Sequence, residues 1–313
     1  MNQLLPFLFC LLVMNSFAQG TKEIAQINKD IGSTKIAAAA SNDETSQSTL
    51  TNPHCAKILG IAHLGYYSNN FEKEKQFYGE YLGFASYPSR IDKNGVEDMI
   101  KYRIGNKQSV ELFTEKKSED RRFYHYAVLV DNSEQMRQYL ASKGLKVPKD
   151  SIKNKSNYFA YDYNNMICEI VDIRKFGPDK KDAQLPGIAS HIDCVGFVVP
   201  DMGKALKFYI EVLGCKEINR KIEKNILKVM VQLQDSPDKI ELIEYQQKDA
   251  SPDYGFYDYY SILVPSVTKA INQLKNNKLK NGSEIDIQKL NVLNGKQIEF
   301  YDLNGTRILL QER

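Results

Sequence analysis

The chain contains no tryptophan and only four histidines in 313 residues, so any imidazole chemistry must come from His54, His63, His125 and His191. It also lacks any block of five or six like charges, and 42 Lys and Arg against 39 Asp and Glu leave a formal net charge of +3. An electrostatically held nucleic-acid partner is therefore not indicated. There is no CxxC pair, and the cysteine spacing singles out no disulfide. The apolar run Leu4–Met14 is too short for a comfortable membrane span. What remains is an ordinary globular composition, 42% hydrophobic and 26% charged, long enough for about two domains. The 11% aromatic content is all Tyr and Phe, which suits β-rich structure.

Residues 1–18 read as a signal peptide. The run Leu4–Met14 is followed by Ser16-Phe17-Ala18, small residues at the −3 and −1 positions of a cleavage site after Ala18. Cys10 follows Phe9, where a lipid-attachment site needs a small residue. The expected location is periplasmic or extracellular, with no membrane contact after cleavage. Residues 19–56 are rich in Ala, Ser, Thr, Asn and Lys, and read as a flexible tether with one frayed helix near Lys22–Asp30. The stretch "RKFGPDKKDAQLPG" at 174–187 reads as an interdomain linker. Four cysteines stay in the mature chain: Cys168 and Cys194 are expected as buried free thiols on strands, and Cys55 as exposed.

Two segments, 57–173 and 188–313, repeat one another. Phe77-Tyr78 and Leu82-Gly83 recur as Phe208-Tyr209 and Leu213-Gly214, an offset of 131. "YDYNNMICEI" at 161–170 recurs as "YDLNGTRILL" at 301–310, an offset of 140 that implies about nine inserted residues in the second copy. At the same offset of 131, His63 becomes Cys194.

Each segment divides again. In the first, a strand at Ile58–Tyr67 precedes a helix at Asn70–Leu82 whose Phe71, Phe77, Tyr78 and Leu82 face the core. Strands come next near 84–88, 98–104 and 108–114. The pattern then repeats as a strand at 123–131, a helix at 133–144, and strands near 145–148, 157–162 and 167–173. Asn132 or Ser133 is the N-cap candidate and Gly144 the stop. Asp162, Asn164 and Asn165 are turn formers. The order β-α-β-β-β occurs twice per domain.

With the residues "IAHLGYYSNNFEKEKQFYGEYLGF", "VELFTE", "YHYAVLVDN" and "YDYNNMICEI", and their counterparts "DCVGFVVPDMGKALKFYIEVLG", "IELIEY" and "FYDLNGTRILL", this order resembles the vicinal oxygen chelate superfamily of glyoxalases, extradiol dioxygenases, epimerases and bleomycin-resistance proteins. The resemblance implies an α+β fold of two tandem domains, each a curled open eight-stranded sheet made of paired βαβββ modules. It also implies a metal held by His63, Glu111, His125 and Glu169, with the carboxylates Glu111 and Glu169 as candidate catalytic groups. Two imidazoles and two carboxylates suit a divalent Fe, Mn, Ni, Co or Zn ion. By strand alternation His63 should share a face with Ile61 and Gly65, Glu111 with Ser109 and Phe113, and His125 with Phe123 and Ala127.

The second copy reads Cys194, Glu241, Tyr259 and Leu309 at these positions, a degenerate site. Strands swapped between domains, or a swapped homodimer, are alternatives to a site contained in the first domain. His54 and His191 fall outside the pattern and read as surface or linker residues. Tyr66, Tyr124, Tyr126, Tyr158, Tyr161 and Tyr163 crowd the site strands without marking one as an acid or base. The function expected is a metal-dependent lyase, isomerase or dioxygenase acting on a small molecule with neighbouring oxygens. The alternative is a metal-independent binding protein of the resistance type.

Overall fold

The computed structural model describes residues 53–105, 107–114, 123–152, 155–175, 188, 190–246, 257–277 and 290–312. The segments expected as a signal peptide, as a tether with a frayed helix up to residue 52, and as a linker beyond Lys175 lie outside the described residues.

The first sheet runs in chain order β1 (Ile58–Tyr67), β2 (Arg90–Ile91), β3 (Glu97–Arg103), β4 (Ser109–Phe113), β5 (Phe123–Val130), β6 (Asn157–Tyr161) and β7 (Ile167–Asp172). Its spatial order is β2-β3-β4-β1-β5-β7-β6. The second contains β8 (His191–Val198), β9 (Lys216–Glu223), β10 (Ile226–Gln232), β11 (Lys239–Tyr245), β12 (Tyr257–Val264), β13 (Asn291–Val292), β14 (Gln297–Tyr301) and β15 (Arg307–Glu312). Its order is β13-β14-β15-β12-β8-β11-β10-β9. The second sheet has the expected eight strands and the first has seven. The strands expected near 84–88 and 145–148 are reduced to isolated bridges, Ser86 to Tyr102 and Lys146 to Tyr161, and the edge strand of the first module is instead the two-residue Arg90–Ile91.

Both modules of the first domain meet at the antiparallel pair β1–β5, and each closes with a parallel pair, β1–β4 and β5–β7. The second helix of this domain, Ser133–Ser142, starts at Asn132, whose side chain accepts the Gln135 N–H. It stops before Gly144, which adopts a positive φ of 75°. Asp162 organises the turn between β6 and β7 by accepting the Asn164 and Met166 N–H groups on Oδ1. Asn165 takes the left-handed conformation there, with φ 63°.

The first helix of each copy, Phe71–Tyr81 and Met202–Val212, begins as an α turn and widens into a π turn. Each docks on the other domain. Phe77 meets Phe300, the Tyr78 hydroxyl lies 2.9 Å from that of Tyr260, and Tyr81 donates to the Leu274 carbonyl. Reciprocally, the Tyr209 hydroxyl donates to that of Tyr126 at 2.7 Å. The domains therefore share one apolar core instead of holding two separate ones. With each buried ring contributing about 1.5–3 kcal/mol over exposure, this exchange binds the halves into one folding unit. At the junction, Gln108 donates to the Ile61 and Ile192 carbonyls and accepts the Ile192 N–H, while Asp238, at the matching place in the other copy, accepts the Ile61 N–H.

Two expectations about side chains change. Cys55 is half-buried, packed on the core with its sulfur 3.9 Å from that of Met136, because the chain joins the fold before β1. His191 is a strand residue whose Nε2 lies 2.5 Å from Asp238 Oδ1, and so is a partnered group and not a linker residue. Cys168, Cys194 and Cys215 are buried free thiols.

Candidate metal centre

His63 on β1, His125 on β5 and Glu169 on β7 converge on one face of the first sheet. Nε2 of His63 lies 3.0 Å from Nε2 of His125, and each is 3.1 Å from Glu169 Oε2. All three side chains are buried. The strand register explains the meeting: Gly65 lies beside both Glu111 and His125, and Ala127 lies beside Glu169. Every donor comes from the first domain, so no strand exchange with the second is involved.

Alternation along single strands predicts part of this placement incorrectly. A register shift between Ile61 and His63 sends Ile61 into the shared core, while Ala62 packs with Ala127, Leu129 and Val171. A second shift, at Tyr124, drops Phe123 into the core against Phe197 and turns both Tyr124 and His125 toward the cleft. Each bulge inserts one residue and reverses the facing of the residues beyond it. Ser109 and Phe113 do flank Glu111 as alternation requires, with Val110 and Leu112 in the core between them.

Gly65 is an essential part of the site that sequence reading did not single out. A Cβ there would stand 2.3 Å from His125 Cε1, so the imidazole occupies the space a side chain would take. Phe113, Tyr124 and Phe159 surround the same ring with centroids 4.7–6.0 Å away. The Nδ1 atoms of His63 and His125 are buried and without hydrogen-bond partners. Ring packing, not a hydrogen bond at Nδ1, holds the two imidazoles in place.

Hydrogen bonds cannot satisfy this triangle. Each Nε2 carries at most one proton, and two N–H groups aimed at one carboxylate oxygen would leave the nitrogens facing each other as donors. A shared cation satisfies all three lone pairs together. Donors about 2.1 Å from an ion lie about 3.0 Å apart at right angles and about 3.4 Å apart at tetrahedral angles. The observed 3.0, 3.1 and 3.1 Å fit one face of an octahedron better than a tetrahedral site.

Glu111 is close by but differently engaged. Its carboxylate oxygens lie 3.7 Å from His63 Nε2 and 3.8 Å from His125 Nε2, while Lys101 Nζ binds Oε1 at 2.5 Å. Burial alone would raise the Glu111 carboxyl, and His63 with Lys101 outweighs it and holds the group below its ordinary pKa. Burial is likewise overridden at Glu169, where the two imidazoles keep the carboxyl well below the usual range. Burial lowers the His125 imidazole, favouring the neutral form that a ligand needs. Asn157 donates to Glu169 Oε1 and leaves Oε2 facing the imidazoles.

The site opens into a cleft of about 810 Å³. Tyr67, Phe113, Tyr124 and Phe159 form its aromatic wall, with Arg90, Lys101 and Lys175 among the polar groups. Of the six tyrosines that crowd these strands in sequence, Tyr124 lines the cleft, whereas Tyr66, Tyr126 and Tyr158 are buried in the shared core.

The matching face of the second domain is filled. Cys194, Tyr259 and Leu309 pack with Met230, and the Tyr259 ring occupies the space over Gly196 as His125 does over Gly65. Burial, then Cys194 and Glu241, push the Tyr259 phenol far above its ordinary pKa, which closes off a phenolate ligand.

Among curated proteins none matches this chain by sequence. Solved structures with the same fold include the 2,3-dioxygenase LapB from Pseudomonas sp. KL28, at 14% identity and TM-score 0.57, covering 83% of this chain and 94% of that one. A variant of 4-hydroxymandelate synthase from Streptomyces coelicolor aligns at 12% identity and TM-score 0.62, covering 82% and 93%. The Mn(II)-bound glyoxalase from Novosphingobium aromaticivorans aligns at 14% identity and TM-score 0.56, covering 82% and 83%. Residues 191–310 match the model of the Glyoxalase/Bleomycin resistance protein/Dioxygenase superfamily. That match falls on the copy without the donor set, so it identifies the scaffold and is silent on the chemistry. The second domain thus matches the model of that superfamily, and the described chain shares the fold of its solved dioxygenases and glyoxalase, with its convergent donors in the first of two related domains.

Proposed function

We propose that the first domain is a divalent-metal enzyme centre held by His63, His125 and Glu169, acting on a small substrate that chelates through two neighbouring oxygens. The observation that supports this reading is the triangle of donor atoms at 3.0–3.1 Å, which no arrangement of protons satisfies. Two imidazoles and one carboxylate on one octahedral face form the set used by non-haem iron oxygenases. With Glu111 tied to Lys101, the reading favours chemistry of the extradiol dioxygenase type over the four-ligand glyoxalase type.

A divalent ion held there supplies Lewis acidity toward the substrate oxygens. The protein supplies the rest. Tyr67, Phe113, Tyr124 and Phe159 offer a wall for a flat ring, and burial of the three donors keeps bulk water from the reacting end. Arg90, already in a two-pronged contact with Asp98, and Lys175 place positive charge in the cleft for an anionic substituent. Export through residues 1–18 is part of the same proposal, and would place the reaction outside the cytosol.

Elemental analysis of the purified full chain tests it, together with oxygen-uptake assays on a panel of catechols and non-aromatic diols. The expected result is about one metal per chain, lost in His63→Ala, His125→Ala and Glu169→Ala and retained in Glu111→Ala. Protein purified without metal, and unable to take it up, would leave the aromatic cleft as a metal-independent binding site and overturn the enzymatic reading.

A further inference from the structure

We infer that Lys101 is a positioning residue that sets the number of protein ligands, by holding Glu111 away from the ion that His63, His125 and Glu169 would bind. The inference rests on the proposed metal centre. It starts from register: β3 runs antiparallel to β4, and Lys101 lies directly opposite Glu111. Opposed residues project to the same face with Cβ atoms about 5 Å apart, so the lysine has to lie along the site wall. Its Nζ meets Glu111 Oε1 at 2.5 Å, and only about a quarter of its side chain is exposed.

The consequence appears in the donor distances. Glu169 Oε2 is 3.1 Å from both imidazole nitrogens, whereas the nearest Glu111 oxygens stand at 3.7 and 3.8 Å. Without the lysine, Glu111 is a fourth donor, a second carboxylate on a buried strand beside two imidazoles. With it, the charge of Glu111 is already matched, and Oε1, the oxygen nearest His63, is engaged by the lysine.

The second domain offers an internal comparison. There Glu241 occupies the place of Glu111, and the residue opposite it on β10 is Met230. Met230 packs on the apolar cluster of Cys194, Tyr259 and Leu309. The same scaffold thus accepts a methionine at this position. Lysine occurs in the copy with three convergent donors, and methionine in the copy without them.

Lys101→Met is therefore a substitution the fold already carries at its equivalent position. The test is titration of the metal-free full chain with Co(II), read both as affinity and as the visible ligand-field spectrum. Lys101→Met is expected to bind Co(II) at least tenfold more tightly and to shift the spectrum to that of a site with one more carboxylate. Lys101→Met/Glu111→Gln should restore the wild-type spectrum, and Lys101→Arg should retain it.

Tighter binding with an unchanged spectrum would report only the lost positive charge, and would overturn the inference. Unchanged or weaker binding would overturn it too. Both outcomes leave the three-donor reading intact. Failure of the wild-type chain to bind Co(II) would instead remove that reading, and the inference with it.

Discussion

Replacing Gly65 by alanine probes the site without touching a donor. The added Cβ would lie 2.3 Å from His125 Cε1, 2.7 Å from Nδ1 and 2.9 Å from Nε2. Ordinary contact begins near 3.4 Å, so the imidazole must retreat by about 1 Å in a close-packed surrounding. Phe113, Tyr124 and Phe159 crowd the ring and limit where it can go. Overpacking of this kind costs about 1–3 kcal/mol. In a folded unit of this size each kcal/mol lowers Tm by about 2–4 °C. Displacing His125 by that distance also breaks the donor triangle, and metal affinity should fall at least a hundredfold. Gly196→Ala is the matched control, because its Cβ would meet Tyr259 Cε1 at 2.4 Å in the filled second domain. Both variants should lose similar stability by calorimetry, and Gly65→Ala alone should lose metal in a Co(II) titration. Equal metal binding in the two variants would refute the placement of the centre.

Groups at the domain junction and in the β6–β7 turn give two more expected outcomes. Gln108→Ala leaves the Ile61 and Ile192 carbonyls and the Ile192 N–H without their buried partner, and should cost about 2–4 kcal/mol in urea unfolding. Because the halves share a core, that loss should appear as one shifted transition, and two separated transitions would contradict the exchange of helices. Asp162 is buried with Oδ2 unpartnered, and burial pushes its carboxyl from 3.8 up to about 6. A raised acid favours the fold fully below its unfolded pKa, and that contribution is lost as pH rises through about 6. Asp162→Asn keeps an acceptor for the Asn164 and Met166 N–H groups, and should gain up to about 3 kcal/mol above pH 6 and nothing near pH 3. Denaturant midpoints that move equally at both pH values would exclude the mechanism.

Much of this molecule is legible in one dimension. The duplication, most of the strand and helix order, the stop at Gly144 and the turn at Asp162 rest on short-range patterns, which act within a few residues wherever the chain goes. The loss of ligand chemistry in the second copy is equally plain, since Leu309 and Cys194 stand at positions where the first copy has Glu169 and His63. Tertiary structure decided the rest. The bulges at Ala62 and Tyr124 depend on the partner strand, and the one at Tyr124 turns Tyr124 and His125 toward the cleft together. The pairing of Lys101 with Glu111 joins residues on neighbouring strands through register, which alternation along either strand does not specify. The exchanged helices bury Phe77 and Phe208 in a core neither domain holds alone, because an apolar helix face says that it must be covered and not by what.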